Sequence, residues 1–260
     1  LHTDQPVHAG QRITFALAPE PPTTVTPQPV PFWILREDAF AAVVDKPAGI
    51  AVHPTLNHPD GTLANGWLYH LQQQGRTGVF RPVNRIDKNT SGLVLLAQNS
   101  FAAPALAAHV TKCYLALAEG CIAPQTLQID APIARRGDSI IGRCVRPDGK
   151  PSLTRLRVLG CAGGHTLLAC QPVTGRTHQI RVHTSHLGHP LAGDTLYGGH
   201  PNLMQRHALH CVSLCYRDPV TREDVSCFCP PPRDFERALE ICGLPRGAQL
   251  QAMLEQIDFS

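Results

Sequence analysis

The stretch PEPPTTVTPQPVP, residues 19–31, carries six prolines, and no regular element can run through it. Proline fixes φ near −65° and offers no backbone donor, which bars such a run from a helix interior or a central strand. It reads as a semi-rigid linker with polyproline II character. Whatever folds as a domain must lie to one side of it. On the N-terminal side, VHAGQRITFALA offers a turn and one alternating strand, too little to bury a core. Residues 1–18 therefore read as the remaining edge of a small domain. Residues 32–260 are left as the one large unit, within the ordinary size of a domain.

Within that unit the apolar pattern alternates between helix and strand periods. FWILREDAFAAVVDKPAGIAVHP contains two strand-like runs, and Lys46-Pro47-Ala48-Gly49 has the composition of a tight turn. Thr62–Gly75 is predicted as a helix, with Thr62 as N-cap, Leu63, Trp67, Leu68 and Leu71 on one side, and Gly75 as its stop. Leu93–Ala97 reads as a buried strand, and Ser100–Thr111 as a second helix that tolerates Pro104 near its first turn. Lys112–Ala118 and Thr166–Cys170 are further strands. Thr177–Gly188 is predicted as a third helix, capped by Thr177 and ended by Gly188. A strand at Val225–Cys229, a proline stop and one or two helices from Asp234 onward complete the chain. There is no steady βαβ rhythm, so the expected class is α+β with a largely antiparallel sheet flanked by helices.

Hydrophobic residues make up 43% of the chain and charged ones 17%, which excludes global disorder. No apolar run approaches the roughly 20 residues that cross a bilayer. The opening LHTDQPVHAG is neither basic nor apolar, so no signal peptide is expected, and its first residue is not Met, so the chain reads as a processed or trimmed piece. Ten cysteines are scattered from Cys113 to Cys242 with no C-x-x-C pair. They are expected to be unpaired, several of them as small buried hydrophobes, with the cytoplasm as the natural compartment.

Charge is unevenly spread. Ala131–Arg217 holds 11 Lys and Arg against Asp138, Asp148 and Asp194, a balance of +8, while the whole chain carries only +3. Eight histidines fall in the same region. Such a segment suits a polyanion, nucleic acid above all, although a basic solvated face would have the same composition.

Three constellations carry chemistry. In RPVNRIDKNTSGLVLL, Asp87 stands between Arg85 and Lys88 and ahead of Thr90-Ser91-Gly92. A flanking cation would hold that carboxylate ionised and oriented, as a nucleophile or general base requires. An isolated Asp in such a turn is more often a surface ion pair. In PVTGRTHQIRVH, Arg176 and Arg181 sit near a helix N-terminus, where cations oppose the macrodipole unless an anion meets them. A buried carboxylate or a nucleic-acid phosphate would serve. His178, His183, His186 and His189 invite a metal reading, yet there is no H-E-x-x-H and no acid before Asp194, so no metal site is expected. In KCYLALA, Tyr114 lies on an alternating strand, as a core-edge ring or a flat surface for a flipped base. No phosphate-cradling G-x-x-x-x-G-K-[ST] or G-x-G-x-x-G occurs, which counts against a nucleotide cofactor.

Together these stretches resemble the RluA-type RNA pseudouridine synthases, from about Phe32 through most of the chain. NRIDKNTSGLVLLAQN is similar to that family's H-R-L-D-x-x-T-S-G signature, KCYLALAEG to its K-x-Y-x-A segment, and TGRTHQIRVHTSHLGHPLAGDTLYG to its R-x-H-Q-I-R-x-H block. DKPAGIAVHP and HALHC are weaker echoes. The resemblance implies the pseudouridine synthase catalytic fold with a central active-site cleft. It also implies conversion of uridine to pseudouridine in structured rRNA or tRNA without a cofactor, by a monomeric enzyme. It makes Asp87 the catalytic aspartate, Tyr114 the active-site tyrosine and Arg181 the arginine paired with the acid. Asn84, Arg85, Thr90, Arg176, His178, Gln179 and Ile180 follow as substrate-binding residues. Asn84 departs from the family's usual His. VHAGQRITFAL matches only the closing strand of the S4 RNA-binding domain that such enzymes commonly carry. A catalytically silent RNA-binding protein is the rival reading; it would share the basic surface but would not need Asp87, Arg181 and Tyr114 together.

Overall fold

The computed structural model describes residues 6–12, 23–55, 59–257 and 259. Its elements run β1 (Trp33–Glu37), β2 (Ala41–Lys46), α1 (Leu63–Gln73), β3 (Ser91–Ala97), α2 (Ala102–Ala108), β4 (Thr111–Glu119) and β5 (Thr126–Asp130). Then come β6 (Ile133–Arg135), β7 (Arg143–Val145), β8 (Leu153–Ala162), β9 (His165–Pro172), α3 (Gln179–His186), β10 (Leu209–Arg217), β11 (Asp224–Phe228), α4 (Arg233–Cys242) and α5 (Gly247–Glu255). Nine strands form one sheet in the order β1-β2-β3-β10-β4-β9-β8-β5, with β11 paired to β10, while β6 and β7 make a separate hairpin. Every pairing is antiparallel except β3 with β10, where Ser91 faces His210 and Gly92 faces Cys211. The sheet is α+β and largely antiparallel, as its sequence pattern predicts.

Strand pleating divides the core between the two faces. Along β4, Tyr114, Ala116 and Ala118 point to one side, where β2, β3, α1 and α2 supply Val44, Leu95, Trp67 and Leu106. Leu115 and Leu117 point to the other, against Phe235, Ala238, Leu239 and Cys242 of α4 and Leu250 of α5. The α4 residues fall at i, i+3, i+4 and i+7, one stripe of a helix. Truncating a fully buried leucine such as Leu117 or Leu239 to Ala costs about 2–5 kcal/mol by the usual cavity scale. No helix among the described residues is long and apolar enough to cross a membrane.

Several boundaries differ from the sequence reading, each for a local reason. Thr62 does precede α1, and its backbone N–H donates to Oδ1 of Asn65; Gly75 follows in the left-handed region at φ +67°. Asn65 also donates to the carbonyl of Thr26, and Gln28 N–H donates to the carbonyl of Asn65. The described part of the proline-rich segment is thus laid along α1. The turn at His8–Gln11 is present, whereas the strand expected after it lies outside the described residues. The helix expected over 100–111 is only Ala102–Ala108, because Asn99 Oδ1 caps the N–H of Ala102. Thr177 is not a cap: it is exposed, and α3 begins two residues later, after His178. Two cysteines are paired, not free. Cys121 and Cys161, forty residues apart, meet beside the contact of Gly120 N–H with the Gly164 carbonyl. A separation of that kind leaves no local trace in the sequence.

Candidate active site

Arg181 is the hub. It projects from the first turn of α3, with its side chain only 7% exposed, and meets two carboxylates. Nε and Nη2 donate to Asp194 Oδ2 and Oδ1 at 2.7 and 2.8 Å, a forked pair that fixes the guanidinium plane. Nη1 then donates to Asp87 Oδ2 at 3.0 Å. Burial pulls the Arg181 pKa down, but Asp194 and Asp87 outweigh it and leave it raised. The cation near this helix N-terminus has therefore found carboxylates, one of the two anions the macrodipole argument called for. Asp87 is held in place by this bond, with its side chain 25% exposed.

A second set of side chains closes around the same carboxylate. His178 Nε2 lies 3.8 Å from Asp87 Oδ2, and its Nδ1 bonds the Tyr197 hydroxyl at 2.7 Å. The Arg181 guanidinium lies 4.9 Å from the centre of the Tyr197 ring. His178 holds the left-handed backbone region at φ 58°, which a residue with a Cβ adopts only at a cost. That conformation turns its imidazole back toward Tyr197 and Asp87. Burial, first of all, and the charges of Arg181 and Arg143 lower its pKa against the opposing pull of Asp87, so it is neutral at pH 7. On β4, Tyr114 is buried beside Cys211. Burial, then Cys211 and Asp87, push its phenol well above the ordinary value, so the ring stays uncharged.

The Asp87 loop is braced on both flanks. On one, Lys46 at the end of β2 is wholly buried and donates to the carbonyls of Pro47 and Lys88, and Gly49 N–H donates to the Lys88 carbonyl as well. Burial lowers the Lys46 pKa to about 7, with Asp87 opposing. On the other, residues 206–210 grip three consecutive positions. Arg206 Nη1 donates to the carbonyl of Asn89, His207 Nε2 meets the Thr90 hydroxyl at 2.8 Å, and His210 Nδ1 meets the Ser91 hydroxyl at 3.0 Å. His210 Nε2 faces the Cys229 carbonyl and must donate to it, so Nδ1 accepts from Ser91. Arg206 continues outward to both oxygens of Asp234 on α4.

The substrate-binding residues expected from the sequence separate into two groups. Arg85 and Arg176 are exposed, and His178 borders the carboxylate. Asn84, Thr90, Gln179 and Ile180 are buried, and the polar side chains among them bond protein groups. Asn84 Oδ1 accepts from Leu95 N–H and its Nδ2 donates to the Leu93 carbonyl, tying the loop to β3. Gln179 Oε1 accepts from Arg176 N–H and the Thr174 hydroxyl, while Nε2 donates to Leu153 and Thr154. It is Gln179, not Thr177, that organises the start of α3. The other histidines of the block have separate partners: His183 with Thr154 and Ala131, and His189 with the Glu119 carbonyl.

Comparison with known proteins now has a site to bear on. The family model described as RNA pseudouridylate synthase matches residues 41–186. The chain belongs to this family. It is 40% identical over 222 residues to the uncharacterized RNA pseudouridine synthase YjbO of Bacillus subtilis, an alignment covering 84% of this chain and 78% of that protein. It is 35% identical over 256 residues to ribosomal large subunit pseudouridine synthase D of Haemophilus ducreyi, covering 90% and 78%. Among solved structures, human RNA pseudouridylate synthase domain containing 1 superposes with a TM-score of 0.67 at 30% identity, covering 92% of this chain and 99% of that one. The chain is thus an RNA pseudouridine synthase, and its fold is that of this family's catalytic domain.

Sequence reasoning missed Asp194, Tyr197, Lys46 and the 206–210 brace. Asp194 had a usable signal, since it is the lone acid between Asp148 and Asp218 in a basic stretch. A single carboxylate there has a high chance of serving a specific cation. Arg206, His207 and His210 had none beyond a short echo, because their partners lie more than a hundred residues away.

Proposed function

We propose that this synthase uses Asp87 as its catalytic carboxylate on a uridine swung out of a folded RNA, with no cofactor. The observation that carries the reading is the Asp87–Arg181–Asp194 chain, in which a partly exposed carboxylate is aimed by a buried and independently anchored arginine. Three routes are open to such a group: attack on ribose C1′, attack on uracil C6, or removal of the 2′ proton. All three break the N1–C1′ bond and join C1′ to C5; the C5 proton leaves to solvent and N1 gains one, so the net change is an isomerisation without oxidation or reduction. Tyr114, uncharged and beside the acid, offers a flat face to the base. Arg85 and Arg176 are placed to meet phosphate. Extruding the base costs a few kcal/mol, which backbone contacts of the +8 segment offset, so binding weakens with salt.

Relatives named as ribosomal enzymes favour ribosomal RNA over transfer RNA as the target. Action as a monomer and in the cytoplasm belongs to the same reading. The test uses unmodified 5-tritiated transcripts of bacterial large-subunit ribosomal RNA and of transfer RNA. The wild type should release tritium, and Asp87→Asn should release none while its affinity stays within a few-fold. Turnover by that variant would remove Asp87 from its role. A wild type that binds both transcripts and releases nothing would be a silent RNA-binding protein.

A further inference from the structure

The turn that begins at Asp87 is gripped by the same arrangement twice. Thr90 N–H donates to the Asp87 carbonyl at 3.1 Å, so residues 87–90 close a hydrogen-bonded β-turn. The carbonyls of its two middle residues are taken by outside donors. Lys46 Nζ and Gly49 N–H hold that of Lys88, and Arg206 Nη1 holds that of Asn89 at 3.1 Å.

Arg206 repeats Arg181 atom for atom. Its Nε and Nη2 donate to Asp234 Oδ2 and Oδ1 at 2.7 and 3.0 Å, as those of Arg181 do to Asp194. A forked carboxylate fixes the guanidinium plane and leaves Nη1 as the pointer. In Arg181 the pointer meets Asp87 itself; in Arg206 it meets the carbonyl two residues on. The anchors differ in place. Asp194 is buried at the catalytic centre, whereas the Asp234 side chain is 51% exposed in the first turn of α4. That helix packs on the face of the sheet opposite Tyr114, and Asp234 is tied to it through the N–H of the fully buried Phe235.

Resting on the pseudouridine synthase reading, we propose that Arg206 is a positioning residue for the reaction and that Asp234 aims it. With Lys46 and Gly49, Arg206 holds both middle residues of the turn and so fixes the direction in which the Asp87 carboxylate leaves it. The anchor stands on the far side of the sheet from Tyr114, so its loss falls on turnover and not on RNA affinity. The seat of α4 is thereby part of the catalytic geometry.

The test measures tritium release at saturating RNA, filter binding and amide hydrogen exchange on the same samples of the full chain. Misplacing a reacting group by about 1 Å costs about 100-fold, so Arg206→Met should lower kcat about that far with KM within about two-fold of wild type. Arg206→Lys keeps the charge without the fork and should recover about ten-fold of the loss. Asp234→Ala, which breaks a half-exposed pair at little cost to folding, should lower kcat about ten-fold. Arg206→Met combined with Asp234→Ala should be no slower than Arg206→Met alone, because Asp234 acts through Arg206. Arg217→Met breaks a forked pair with Asp224 on β10 and β11 and should keep the wild-type kcat. In Arg206→Met the Thr90 amide should exchange about ten-fold faster while the amides of α3 keep their protection. A wild-type kcat in Arg206→Met or in Asp234→Ala, or losses that simply add in the double variant, would overturn the proposal. If the wild type releases no tritium from either RNA, the activity reading fails instead, and unaltered Thr90 exchange in Arg206→Met would then overturn the grip on the turn by itself.

Discussion

Two sets of arginine–aspartate pairs in this molecule look alike in geometry and differ in everything else. Around Arg181 the contacts are 2.7–3.0 Å, and the cation is almost wholly buried. On the β6–β7 hairpin, Arg136 meets Asp138 at 2.8–3.0 Å and Arg146 meets Asp148, but all four side chains are 39–68% exposed. Burial makes the first set costly to assemble and costlier to break, because removing one partner strands a charge in a poor solvent. Water and salt screen the second until it holds almost nothing in place. The buried set thus fixes the geometry around Asp87, whereas the exposed set fixes little beyond itself.

The largest expected effect tests the rigid set. Asp194→Asn leaves the Arg181 charge without its anchor and should destabilise the protein by about 3–5 kcal/mol in denaturant titrations. In the fraction that stays folded, kcat should fall more than 100-fold, since the aim of Nη1 at Asp87 depends on that fork. A variant with wild-type stability and turnover would remove Asp194 from the network. Arg181→Met replaces the cation by a side chain of similar length; its kcat should drop at least as far while RNA affinity changes only a few-fold. Next comes acid sensitivity. Burial, then Arg181, hold His207 near a pKa of about 3, and burial holds His210 at about 4. Both are neutral when folded and gain a proton when unfolded below about 6.5. Stability is therefore complete above that pH and is lost as the pH falls toward 4, by about 1.4 kcal/mol per unit for each histidine. His207→Gln should shallow this slope, measured as the denaturation midpoint from pH 7 to 4; a wild type with a flat profile would contradict the buried neutral assignment. The smallest effect belongs to the yielding set. Asp138→Asn should shift the unfolding midpoint by no more than the error of its measurement, and a clear loss of stability would show the hairpin pairs to be structural.

The same contrast explains what could be read from the sequence. Features determined within a few residues were legible: the stripe of α4, the alternation of β4, Gly75 after α1; the motifs also pointed to the contact of Arg181 with Asp87. So was the need of Arg181 for an anion, because the macrodipole argument is local. What failed was long-range or depended on which way a polar side chain turns. The hydrogen bonds that Asn84 and Gln179 make to backbone and side chains of neighbouring strands, for example, leave no mark in the local sequence. The strand β10 went unread apart from a faint motif, although it occupies the middle of the sheet.

That central strand sets the order in which the protein can be completed. Gly92 has φ +105°, and a Cβ there would fall 2.3 Å from the Cys211 carbonyl oxygen, so the parallel seam admits no side chain at this point. The seam joins positions 119 residues apart in the chain. Until residues 206–217 are made, β3 has β2 on one edge but nothing from β10 on the other, and the turn after Asp87 has the grip of Lys46 and Gly49 without that of Arg206, His207 and His210. A functioning catalytic centre is thus among the last things this chain acquires during synthesis, and an abortive N-terminal fragment, however well it collapses, is born inert.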